Sequence, residues 1–246
     1  LNIASGGVGV FGENADIDFA VNVSGTGAVG VAAKGNSVIS GNIKTGQGSV
    51  GAFLLNGTVT FNGAVIETGA SIPESSPGAS DAKTSVGILF DTGITGTYTM
   101  NNVTVNAKDG VGIYLKKGSL NNTATNAGII NLLSGKTGAI GMYTSAGKII
   151  NSNTININDS THIGMFASGT GNTVSNGGTI NLGADSSTGI YVKDGAKAEL
   201  NALGSIIFTG KESVGVFAEN AEVEIKDNIL FSQSNENKNI FAYGKN

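Results

Sequence analysis

The chain has 246 residues, of which 39 are glycine and 2 are proline, with no cysteine and no tryptophan. Charged residues make up 13%, the net charge is −4, and all 14 basic residues are lysine. This excludes a disulfide framework, a cysteine zinc site and the basic face of a nucleic-acid binder, so no nucleic-acid partner is expected. No apolar run approaches the length of a transmembrane helix, so no membrane insertion by this segment is expected either.

The first motif along the chain is Gly7-Val-Gly9-Val-Phe-Gly12, a G-x-G-x-x-G that recurs at Gly25–Gly30 and Gly46–Gly51. A dinucleotide site needs one such loop, followed by a helix. Three copies at a short period, none leading into a helical pattern, mark a structural repeat. The wider block is a small residue, Val or Ile, Gly, then Val or Ile. It places anchor glycines at Gly9, Gly30, Gly51, Gly87, Gly112, Gly141, Gly164, Gly189 and Gly215. Their steps are 21, 21, 36, 25, 29, 23, 25 and 26 residues. Asn239-Ile-Phe-Ala242 reads as a tenth, worn copy with Asn239 at the glycine position.

A second signal keeps a step of 25. It links Asn101, Asn126, Asn151, Asn176 and Asn201, and separately Asn106, Asn131, Asn156 and Asn181. Strand alternation turns Ile130/Leu132, Ile155/Ile157 and Ile180/Leu182 inward and Asn131, Asn156 and Asn181 outward. A third short strand reads as Asp16–Phe19, Ser37–Ile39, Thr58–Phe61, Lys197–Leu200 and Glu222–Ile225. Gly, Asn, Asp and Ser separate the strands as turn formers. No segment carries a 3.6-residue apolar period.

Three short strands per repeat cannot bury a face alone, but wound into a coil each pairs in parallel with its equivalent about 4.8 Å away. The expected fold is all-β: a right-handed parallel β-helix, a three-sided solenoid of about nine to ten coils of roughly 21–26 residues. Residues 1–246 form one segment, with aliphatic core columns and asparagine ladders at the turns. The long step from Gly51 to Gly87 marks a loop insertion at 69–84, which holds both prolines. Insertions leave a solenoid on one face, often the binding face. The candidate ligand-contact residues are Ile72, Pro73, Glu74, Pro77, Asp81 and Lys83.

The [SA]-V-G-[VI]-[FY] block, followed by K/E-[ND]-[GA]-A and a T-I-N-[IL] strand, resembles the passenger repeats of type V autotransporters. It is most similar to the large fusobacterial outer-membrane autotransporter adhesins. The resemblance covers essentially the whole chain. It implies a signal peptide upstream, a membrane barrel downstream, and extracellular display on the bacterial outer membrane, with this chain an excerpt of a longer passenger.

Catalytic alternatives are thinner. Asp16 and Asp18 face out together, about 6.5–7 Å apart, as an inverting glycosidase pair would. The same pattern returns as Glu222 and Glu224, which reads as a solvated outer face. His162 is the sole histidine and reads as a turn or surface residue. Gly135-Lys-Thr137 lacks the preceding glycine of a P-loop. Tyr114, Tyr143 and Tyr191 share one repeat position and form a stacking column. The expectation is a non-enzymatic adhesin segment that uses no cofactor or metal. Its partner is a host or bacterial cell-surface protein or glycan. A carbohydrate-active enzyme on the same scaffold and an inert stalk are the alternatives.

Overall fold

A computed structural model describes residues 1–70, 84–90, 96–116, 122–133, 138–226, 229–233 and 238–245. Among the described residues the regular structure is β-strand without helix, and strands pair in parallel with their equivalents one coil on. Parallel neighbours need a crossover of a dozen or more residues. Here each face's crossover is the other two faces of the same coil.

Three faces result. The anchor face is a ten-stranded sheet running from Val8–Glu13 and Val29–Lys34, through Gly110–Leu115 and Ile140–Thr144, to Val214–Glu219 and Ile240–Lys245. The middle face begins as a three-stranded sheet of Asp16–Ile17, Ser37–Ile39 and Val59–Phe61. In later coils its place is taken by Lys148–Asn151, Thr173–Asn176, Lys197–Leu200 and Glu222–Ile225. The asparagine face includes Val21–Val23, Ala64–Glu67, Thr154–Ile157, Thr179–Leu182 and Ser205–Phe208. Two long strands, Thr97–Lys108 and Thr123–Leu133, bend round the corner between the middle and asparagine faces. The first half of Thr123–Leu133 pairs with Lys148–Asn151 and its second half with Thr154–Ile157.

Turn chemistry sets the corners. Asn14, Asp109, Asp194 and Asn220 adopt left-handed backbone, which short polar side chains tolerate. The core consists of stacked columns. Ile66, Val105, Ile130, Ile155, Ile180 and Ile206 follow one another in register, each fully buried. Ile88, Ile113, Met142, Met165, Ile190 and Val216 do the same behind the anchor face. Each such burial stabilises the coil by about 1.5–3 kcal/mol.

The anchor glycines stack too. A Cβ on Gly112 would lie 2.6 Å from the carbonyl oxygen of Gly141, and the same approach repeats at the other anchor glycines. The block therefore keeps its glycine because the next coil's backbone occupies the side-chain position.

Two expectations change. The solenoid has about eight turns rather than nine to ten: nine anchor glycines from Gly9 to Gly215 are rungs, and they enclose eight intervals. Asn239 is not the tenth anchor. Val214 aligns with Ile240, so Phe241 follows Gly215 in the column and Asn239 stands where the earlier blocks carry serine.

Candidate interaction surfaces

The contact residues expected in the insertion, Ile72, Pro73, Glu74, Pro77, Asp81 and Lys83, lie outside the described residues. The chain is described up to Ala70 and again from Thr84. Beside this point Ser85 Oγ donates to the Ala70 carbonyl at 2.8 Å and accepts from the Gly48 N–H at 2.9 Å. A cleft of about 400 Å³ opens there, lined by Gly48, Val50, Thr84, Val86, Leu89 and Tyr114 among others.

The outer surface of the anchor face carries a ring ladder. Tyr114, Tyr143, Phe166, Tyr191, Phe217 and Tyr243 follow in register, with centroids 4.6–5.4 Å apart. The column expected from Tyr114, Tyr143 and Tyr191 is thus present and longer. Because the rings lie over one another, their faces are consumed within the ladder and their edges point outward. Such a ladder stiffens the rod but offers few open ring faces on which a sugar could stack. Tyr191 donates its hydroxyl to Glu219 at 2.8 Å. Burial first, then that bond and the Glu219 charge, push the Tyr191 phenol up to about 12.

The asparagines form two ladders of different kinds. Asn106, Asn131, Asn156 and Asn181 stand outward as expected, and the amides of Asn131, Asn156 and Asn181 each donate to the preceding coil's side-chain oxygen at 2.7–2.9 Å. Asn126, Asn151 and Asn176 form an inner ladder at the corner, fully buried and linked at 2.9 Å. Asn101 and Asn201 do not join it. Asn101 aligns with Ala127 because a bulge between Asn101 and Thr104, with Asn102 in left-handed backbone, shifts the register by one. Asn176 aligns with Leu200 because Thr173 pairs with Lys197, a step of 24. These inner asparagines close the middle-face strand rather than open a new unit.

His162 stands between a turn and the strand Ile163–Ser168 and is buried rather than at the surface. It belongs to a column that the sequence pattern did not reveal, in which Ser49, His162, Ser213 and Asn239 each accept a backbone N–H from the coil before. The donors are Ala28, Ala139, Ser187 and Ser213. His162 Nδ1 accepts at 2.9 Å, and Nε2 lies 3.0 Å from the Leu133 carbonyl, which places the ring hydrogen on Nε2. The recurrent serine before Val-Gly was the available signal.

The middle face carries the charges. Glu199 pairs with Lys148 at 2.5 Å and Lys226 at 3.2 Å, and Lys197 pairs with Glu224 at 2.7 Å and Glu222 at 3.1 Å. Burial opposes the Glu199 charge, yet the two lysines hold its carboxyl below the usual range. Hydrogen bonds to Glu224 and Glu222 raise Lys197, and the Lys197 bond lowers Glu224. Asp16 is exposed in its strand and Asp18 is exposed just beyond it, as expected. The matching Glu222 and Glu224 are engaged by Lys197. Among the described residues no cluster of three His, Asp or Glu could hold a metal. Among the described residues, three clefts of about 390–410 Å³ have one carboxylate in their lining, Glu67, and it lies 3.8 Å from Lys44.

The sequence profile of the BigA third pectate lyase-like domain matches residues 133–204, under a third of the chain. No curated protein and no solved structure matches. The matched stretch spans the coils from Ile140–Thr144 to Lys197–Leu200, where both asparagine ladders run. Together with the parallel solenoid, the match fits a bacterial surface β-helix of passenger-like type.

Proposed function

We propose that the chain is a β-helical segment of a bacterial surface adhesin, an autotransporter passenger displayed outside the cell from the outer membrane. Its fusobacterial character rests on the repeat resemblance alone. It acts by contact with a host or bacterial cell-surface protein or glycan and not by catalysis. The observation that carries this reading is the column organisation of the outer surface. Aromatic, amide and charged side chains each repeat over several successive rungs and spend most of their polar groups on their own neighbours. A surface built from repetition presents extended area, whereas a hydrolase needs unlike groups converging at one rung. The insertion at 69–84 is the segment proposed to contact the partner.

The test is binding of the labelled chain to epithelial cells and to bacterial cells, with residues 71–83 intact or replaced by a short Gly/Ser turn. Saturable binding that drops on replacement supports the reading and places the contact in the insertion. Saturable binding unchanged by replacement keeps the adhesin reading and moves the contact elsewhere. No binding by either form leaves a stalk. Release of reducing ends from pectate by the chain would overturn the non-enzymatic part.

A further inference from the structure

The ring ladder is uneven in its chemistry. Tyr114 and Tyr143 stand in register on adjacent coils, with centroids 4.6 Å apart and ring planes 15° from parallel. The other ladder tyrosines have phenylalanine neighbours. Tyr191 lies between Phe166 and Phe217, and Tyr243 follows Phe217. Tyr98, the fifth tyrosine of the chain, belongs to the strand Thr97–Lys108 and packs against Phe90. Among the described residues, two phenols are therefore stacked at one place, on the outer surface of the anchor face. Both rings there are half-buried, so their edges reach solvent.

We propose that Tyr114 and Tyr143 form an oxidative modification site, at which hydrogen peroxide and a haem peroxidase join the two rings into a dityrosine staple between adjacent coils. Each phenol gives up one electron and its hydroxyl proton. The peroxide takes up both electrons and both protons and leaves as two waters. A phenoxyl radical spreads its unpaired electron over the oxygen and the ring carbons ortho and para to it. The para carbon already carries Cβ, so the two ortho carbons, the Cε positions, are open to coupling. A bond forms from one Cε of Tyr114 to one Cε of Tyr143. The hydrogen on each of these carbons then moves to its own oxygen, and both phenols are restored. Parallel pairing in register suits this step, because it sets like atoms of the two rings about 4.8 Å apart, one rung on. Small rotations of the rings about Cβ–Cγ close the remaining distance. The two partners are held together before oxidation, so coupling within the chain outruns coupling between chains. The link closes the 29-residue step between the two coils, and that boundary can then no longer peel. The inference concerns a reaction within one chain and does not rest on the adhesin reading.

The test treats the dilute chain with a haem peroxidase and hydrogen peroxide, with free tyrosine in a parallel tube to show that the oxidant is active. Digestion and mass spectrometry should find the peptides holding Tyr114 and Tyr143 joined, lighter by two hydrogen atoms than their sum. Tyr114→Phe and Tyr143→Phe should each lower the yield of linked peptide at least about tenfold, because no second phenol is then held against the first. Phe166 and Phe217 already occupy this column, so phenylalanine keeps the stack. Tyr191→Phe should leave the yield unchanged. Stretched as a single molecule, the linked chain should release about 100 Å less contour length than the untreated chain. Absence of the linked peptide, equal yield from Tyr143→Phe, links formed only between separate chains, or a linked chain with undiminished contour length would each overturn the proposal.

Discussion

A methyl group added at Gly112 has nowhere to go, because the Gly141 carbonyl oxygen would sit 2.6 Å from it. Gly112→Ala is expected to cost about 3 kcal/mol through overpacking against backbone. Gly63 is a control of the opposite kind. Its φ is +74° and nothing lies within 4 Å of the place a methyl would take, so Gly63→Ala costs about 1 kcal/mol of backbone strain. Urea midpoints of the two variants measure the difference. The asparagine ladders make a second pair. Asn151→Ala strands the amide of Asn126 and the side-chain oxygen of Asn176, both buried, at a cost of about 2–4 kcal/mol. Asn156→Ala removes an outer rung whose neighbours reach water, and costs about 1 kcal/mol or less. Thermal melts that rank Asn156→Ala as the more damaging would contradict this assignment. Both ladders were legible in the sequence as steps of 25. Which one is buried was not, since that depends on the corner at which the middle-face strand turns. Nor was the failure of Asn101 and Asn201 to join, because one added or missing residue shifts a column without disturbing the spacing of the asparagines.

At the scale of the strand, alternation was the reliable guide. Lys197-Ala-Glu-Leu200 and Thr154-Ile-Asn-Ile157 place their residues on the faces that a two-residue period dictates. The partners were not readable. Glu199 meets Lys148, 51 residues earlier and two coils away, a proximity that only the stacking creates. This has a pH consequence. Glu199, Glu219 and Glu224 are all held below their ordinary range in the folded chain. The unfolded chain therefore binds more protons in the window just below that range. The stabilisation is complete above the ordinary glutamate range, near pH 4.3, and is lost as pH falls through the lower folded values. Melting temperatures measured in steps from roughly pH 6 to pH 3 should fall within that window. Glu199→Gln should soften the fall and lower stability at neutral pH by about 1 kcal/mol.

At the scale of the molecule, the fold class and both asparagine columns could be read from periodicity alone, while the number of turns and the burial of the inner column could not. The first two steps are of 21 residues, the third is of 36 and the later ones are of 23 to 29, so the corner loops absorb most of the variation while the stacked strands stay in register. The backbone hydrogen bonds of the sheets join each coil to the next and so run along the long axis of the rod. A pull on the two ends therefore loads one coil boundary at a time, instead of shearing all of them together. Each coil that peels away replaces a rise of about 4.8 Å with some 80 Å of extended chain. Held between two surfaces in flow, such a rod would lengthen stepwise like thread from a spool, keeping its remaining coils intact while the load is spent.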